Sequence, residues 1–210
     1  MTLTGYLLLG GMSLPAACAT GWLSLRGTGL FIARYGGSQT PALQRLFFYS
    51  AYVVFFMATA FQQPGLLVVP YLVLLNAMLV FSDLDTGSRW LPLEFTLPFA
   101  LGSLLLPGEP AWLHAISFAV MWAPLALVRR GLMWRHQKEV MGAGDVWLIA
   151  GLSAWLTVPV SGVLTVLALA LILLFYRPGR DLPLAPALSL FTGVYCVARP
   201  FLIIRGVLLP

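Results

Sequence analysis

Charge is scarce in this sequence. Only 9% of its 210 residues are Asp, Glu, Lys or Arg, where a soluble domain carries about 25%. A surface so poor in charge cannot face water all round, which excludes an ordinary soluble globular protein. Cysteine is scarcer still: Cys18 and Cys196 both lie inside apolar segments, without the C-x-x-C spacing that zinc or dithiol redox work requires. They read as packing residues. The two histidines, His114 in an apolar segment and His136 in a basic loop, lie too far apart to make more than a weak metal site, and no serine-containing elbow accompanies them. No metal, no cofactor and no nucleophilic triad is expected. A basic stretch is also missing ahead of the first apolar run, and Pro15-Ala16-Ala17-Cys18 matches a lipoprotein cleavage site poorly. That run is expected to stay attached as a helix.

What the chain has in quantity is apolar length. Hydrophobic residues make up 60% of it, and runs long enough to approach or cross a hydrocarbon core of roughly 30 Å recur almost throughout. They fall near Leu3 to Leu25, Leu46 to Phe61, Gly65 to Phe81, Leu91 to Leu106, Ala111 to Val128, Val146 to Val158, Val160 to Tyr176 and Leu182 to Leu202. The expectation is an all-α integral membrane protein of about eight transmembrane helices with short loops, one polytopic domain over residues 1–210. Seven helices are possible, because only Pro159 separates the sixth and seventh runs and proline can kink a membrane helix without ending it.

The net charge of +5 does not indicate nucleic acid, since the basic residues sit in short breaks between apolar runs rather than on one polar face. They act as topology signals in a lipid setting. Arg26, Arg34 and Arg45 follow the first run, Arg89 the third, Arg129, Arg130, Arg135 and Lys138 the fifth, and Arg177 and Arg180 the seventh. The intervening breaks, such as Gln62-Gln63-Pro64 and Pro107-Gly108-Glu109-Pro110, carry no Lys or Arg. Because basic loops are retained on the cytoplasmic side, every second loop is placed there and the first helix runs from outside to inside. Arg199 and Arg205 near the C-terminus depart from this alternation.

A lone carboxylate in a membrane costs several kcal/mol unless it has a partner, an aqueous cavity or a headgroup-level position, so the seven acids are informative. Glu109, Glu139 and Asp181 fall in loops, where solvation suffices. Asp83, Asp85, Glu94 and Asp145 lie at the cytoplasmic ends of apolar segments, where a carboxylate can line a shallow cavity. In Met141-Gly142-Ala143-Gly144-Asp145-Val146-Trp147, Asp145 is placed like an N-cap, its ionised form favoured by the helix dipole. Gly142 and Gly144 remove bulk beside it, so that an extended substrate backbone can approach. A plain glycine-rich turn with an Asp cap is the alternative reading. Asp83 and Asp85 end the third run in Phe81-Ser82-Asp83-Leu84-Asp85-Thr86-Gly87-Ser88-Arg89-Trp90-Leu91-Pro92, with Pro92 expected in the first turn of the next helix. One carboxylate at a helix start and another at a helix end is a way to hold two pKa values apart, as acid and base work on a shared water requires.

On these residues the chain resembles the prepilin peptidases, the type IV leader peptidases within the G-x-G-D membrane aspartyl proteases. The family pattern is an Asp with Leu-Pro or Ile-Pro seven positions on, then, after a helical hairpin and a basic loop, G-x-G-D-x-K. Gly142-Ala143-Gly144-Asp145 matches the second motif, Leu148 to Leu156 is similar to the small-and-apolar helix behind it, and Leu182-Pro183-Leu184-Ala185-Pro186 resembles a late I-P-F-G-P stretch. Order and spacing agree from about residue 34 to 202. Trp147 departs from the family's usual Lys or Arg, and Leu93 from its Asp or Asn.

The resemblance implies an aspartic endopeptidase of the bacterial inner membrane that removes the basic leader of type IV prepilins or related pseudopilins at the cytoplasmic face. Asp85 and Asp145 would be the catalytic pair, with Asp83 the alternative to Asp85, and Gly142, Gly144 and Glu94 would meet the substrate. Asp83 and Glu94 would add negative potential that attracts the basic leader. Long family members carry a Cys-rich insertion after the first helix that is associated with N-methylation; here the segment from Arg26 to Arg45 contains no Cys, so the chain resembles the short branch and methyltransferase activity is not expected. A small ion-coupled transporter subunit and a non-catalytic scaffold are the rival readings. The oligomeric state and the particular prepilin are not legible.

Overall fold

A computed structural model describes residues 3–62, 68–89, 91–106, 109–137, 141–175 and 183–204. Among the described residues there is no strand, and eight α-helices follow one another: α1 (Leu3–Tyr35), α2 (Ala42–Gln62), α3 (Val69–Ser88), α4 (Leu93–Gly102), α5 (Ala111–His136), α6 (Ala143–Trp155), α7 (Val158–Leu174) and α8 (Leu184–Ile204). A 3-10 turn, Ser103–Leu105, prolongs α4. The expected all-α membrane architecture is present. Helices α2, α3, α5 and most of α8 are long and apolar enough to cross a bilayer, whereas α4 and α7 are shorter apolar helices.

The count is eight because α6 ends at Trp155, Thr157 is fully extended at φ 166°, and Pro159 falls at the start of α7. Proline is tolerated there, where its missing N–H has no helical partner to lose. Several helices run beyond their apolar stretches, α3 for example continuing past Phe81 to Ser88. The first continues past Leu25 to Tyr35, and the fifth past Val128 to His136. Hydropathy reports the width of the hydrocarbon, not the end of the helix. Arginine is a good helix former whose long stem keeps its head at the polar boundary. Arg26 lies 5.1 Å over the Trp22 ring and Arg34 lies 5.8 Å over that of Tyr35. Pro92 also sits one place earlier than expected, as the extended N-cap residue of α4, and its carbonyl accepts from Phe95 and Thr96. Trp90, Lys138, Glu139, Arg177, Arg180, Asp181, Leu182 and Arg205 lie outside the described residues.

The chain divides into two compact units, residues 1–88 with 188–210, and residues 89–187. In the first, α1, α2 and α3 pack against one another. Lipid tails are as apolar as leucine, so helices associate in a membrane through close approach at small residues and hydrogen bonds between helices. Gly21 shows the first, since a Cβ there would lie 2.8 Å from Tyr52 Cε1. The hydroxyls of Thr20 and Tyr52 share a hydrogen bond of 2.8 Å, Tyr49 donates to the Cys18 carbonyl at 3.0 Å, and Ser24 donates to Asn76 Oδ1 at 3.0 Å. Cys196 is fully buried, as a packing residue should be. Arg199, the exception to the charge alternation, lies 5.0 Å over the ring of Tyr71.

In the second unit α6 is central, packed by α4, α5 and α7. Every residue from Leu148 to Ala154 is buried. The small ones let neighbours close in: a Cβ on Gly151 would lie 2.8 Å from Phe99 Cδ1. Ser153 donates to the Ser117 carbonyl at 2.8 Å, and His114 Nδ1 lies 2.8 Å from the Ala154 carbonyl, which requires the Nδ1–H tautomer. Trp155 stacks on Phe99 with ring centroids 5.6 Å apart and donates its indole N–H to the Phe99 carbonyl at 2.7 Å.

Candidate active site

Asp145 lies in the first turn of α6, one turn away from the cap position expected for it. Gly142 is the N-cap residue, with φ −61° and ψ 141° and no side chain to cap with, so Asp145 is the third residue of the helix. The first-turn position retains the attraction between a carboxylate and the helix N-terminus. The two motif glycines do different things. Neither is required by a left-handed backbone. A Cβ on Gly142 would lie 3.0 Å from Asp145 Oδ2, so this glycine leaves room for the carboxylate. A Cβ on Gly144 would lie 2.5 Å from the Leu91 carbonyl oxygen, so this glycine lets α6 start against the backbone just before α4. Glu94 is exposed in the first turn of α4.

Trp147, at the position where the resemblance leads one to expect a cation, is part of an aromatic cluster. Its ring lies 5.4 Å from that of Phe118 and 6.1 Å from that of Trp122, edge-on to the latter. Both partners belong to α5, so the tryptophan holds α5 to α6. Trp147→Lys is expected to lower stability by roughly 2 kcal/mol through loss of these contacts. Thermal unfolding of the detergent-solubilised protein measures this; an unchanged midpoint would remove the packing role.

In the first unit, α3 stays helical through Ser88, so Asp83 and Asp85 point roughly 200° apart. Their settings differ. Asp83 is 1% exposed, and its Oδ2 receives Arg45 at 2.9 Å and the Thr28 hydroxyl. Arg45 also donates to the Leu25 carbonyl and, at 3.2 Å, to Thr28 Oγ1. Asp85 is buried as well, with 7% of its surface exposed. Sequence reading missed the Arg45–Asp83 pair, because nothing in either local segment marks two residues on different helices as partners. Among the described residues no three His, Cys, Asp or Glu side chains gather in one place.

A polytopic helical membrane protein with an acid on the central helix of its second unit and another on the last turn of α3 is the class these features define. The chain belongs to the type IV leader peptidase family, whose profile matches residues 72–178, from within α3 to just beyond α7. It is similar to the prepilin leader peptidase/N-methyltransferase of Myxococcus xanthus, at 38% identity over 94 residues. That match covers 42% of this chain and 28% of the relative, so the chain spans well under two thirds of that protein. No solved structure matches.

Proposed function

We infer that this protein is an intramembrane aspartic endopeptidase that cuts the basic leader from type IV prepilins or related pseudopilins, with Asp85 and Asp145 as its catalytic pair. The observation that weighs against Asp83 as the catalytic carboxylate is its engagement by Arg45 and Thr28. A carboxylate bound by Arg45 and Thr28 is committed to an ion pair, and removing it from that pair to bind water would leave a half-buried guanidinium without its partner. Asp85 also stands seven residues before Pro92, the family spacing. In the reaction, one carboxylate takes a proton from a shared water while the other donates to the peptide oxygen or nitrogen, so no covalent intermediate forms. Membership of the family and the 38% identical relative support the substrate class.

The basic residues support an active site at the cytoplasmic face of the inner membrane. By the alternation of basic loops along the sequence, Arg34 at the end of α1, Arg89 after the Asp85 turn, and Arg129, Arg130 and Arg135 towards the end of α5 mark cytoplasmic connections. The α1–α2 connection, residues 36–41, contains no Cys, and methylation of the product is not part of the proposed activity. Co-expression with a panel of tagged prepilins, read by N-terminal sequencing, tests the function: a new N-terminus at the junction of leader and apolar helix is expected, and intact prepilin across the panel counts against it.

Attraction of the basic leader falls to Glu94, because Asp83 is neutralised by Arg45. Glu94→Gln is expected to raise the apparent KM about threefold at low salt and to have no effect at high salt, since exposed charges are screened beyond roughly 10 Å at 0.1 M. An unchanged KM at low salt removes Glu94 from substrate recognition.

A further inference from the structure

The last turn of α3 is held from three directions. The connection at residues 36–41 turns through Gly36 and Gly37, at φ 84° and 138°, and lays its backbone on that turn. A Cβ on Gly87 would lie 2.8 Å from the Ser38 carbonyl oxygen and 3.0 Å from the Thr40 nitrogen. Ser38 donates its hydroxyl to the Gly87 carbonyl, one of the terminal carbonyls that a helix leaves without an internal partner. Thr40 donates to the Asp83 carbonyl at 2.7 Å. From α1 the Thr28 hydroxyl, and from α2 Arg45, bind the Asp83 carboxylate. Thr28, Thr40 and Asp83 are all buried.

A helix end ordinarily frays, which is a poor place for a carboxylate that must meet a water and a peptide within a fraction of an ångström. We propose that Arg45, Asp83 and Thr40 form a clamp that keeps the turn 83–88 helical and thereby aims Asp85. They are positioning residues. The inference rests on the reading of Asp85 as catalytic, but its physical core, a clamped turn, is measurable without catalysis.

The experiment uses the full chain in detergent micelles, with Thr40→Val, Thr40→Ser, Arg45→Gln, Asp83→Asn and the Arg45→Gln/Asp83→Asn double variant. Amide hydrogen exchange in the peptide covering residues 81–89 is expected to quicken about tenfold in Thr40→Val and Arg45→Gln, and to return towards wild type in Thr40→Ser. Leader cleavage should lose roughly tenfold in kcat with KM little changed, as expected for a group that orients rather than binds. The double variant should be more active than Arg45→Gln alone, because it no longer buries an unpaired carboxylate. Unchanged exchange in both Thr40→Val and Arg45→Gln overturns the clamp, whether or not the protein cleaves anything. Asp83→Asn with wild-type exchange but no turnover also overturns it, because Asp83 would then be catalytic. Should the wild type cleave no prepilin, the peptidase reading fails, and the exchange data still decide the clamp. Thr40→Val, which removes one hydroxyl and no charge, keeps the test open if Arg45→Gln does not fold.

Discussion

Asp145→Asn is expected to abolish leader cleavage, by roughly 10³-fold or more, while leaving the helices in place. The change is nearly isosteric. It keeps a hydrogen-bonding group in the first turn of α6 and removes only the charge and the ability to exchange a proton. If Asp145 were an ordinary first-turn acid, its loss would cost about 0.3 to 1 kcal/mol through the helix dipole and nothing in rate. The two readings therefore separate by orders of magnitude in kcat but by little in stability. Turnover of a tagged prepilin by purified protein, with thermal unfolding as the control, measures both. A variant that unfolds with the wild type and is inactive fits the catalytic reading; one that cleaves at a normal rate contradicts it.

Gly144→Ala is expected to destabilise the second unit by about 3 kcal/mol, a large effect for one methyl group. The reason is what the new Cβ would meet: the Leu91 carbonyl oxygen at 2.5 Å and its carbon at 3.2 Å, both backbone atoms that cannot rotate aside. Helix α6 must then withdraw from the segment leading into α4. Gly142→Ala makes a contrasting pair. Its Cβ would meet Asp145 Oδ2 at 3.0 Å, a side-chain atom that can turn away, so stability should hold while cleavage falls through a displaced carboxylate. Unfolding midpoints and cleavage rates of the two variants, taken together, test the division. Equal behaviour would mean that the two glycines are not specialised as argued here.

The parts of this account that sequence made legible are those encoded within a few residues. Apolar runs marked all eight helices, since the part of a helix that lies in hydrocarbon must be apolar. The glycines beside Asp145 and the spacing from Asp85 to Pro92 marked the candidate site for the same reason. What depended on distant residues was not legible. Arg45 meets Asp83 from a different helix. Leu91 explains Gly144, and Phe118 and Trp122 explain a tryptophan that looked like a lost cation. The ends of α1 and α5 were misplaced because arginine reads as loop on a hydropathy scale, yet it continues a helix into the headgroup layer. The cap of α6 was misplaced by three residues because Asp is the stronger N-cap residue by preference, while here Gly142 takes that position.

The central claim is that Asp85 works with Asp145 and that Asp83 does not take its place. The direct measurement is N-terminal sequencing of a prepilin co-expressed with Asp85→Asn or, separately, with Asp83→Asn. The account predicts intact prepilin with Asp85→Asn and reduced but correct leader removal with Asp83→Asn. Full processing by Asp85→Asn together with none by Asp83→Asn would contradict it, and would move the catalytic role onto the carboxylate that Arg45 now holds.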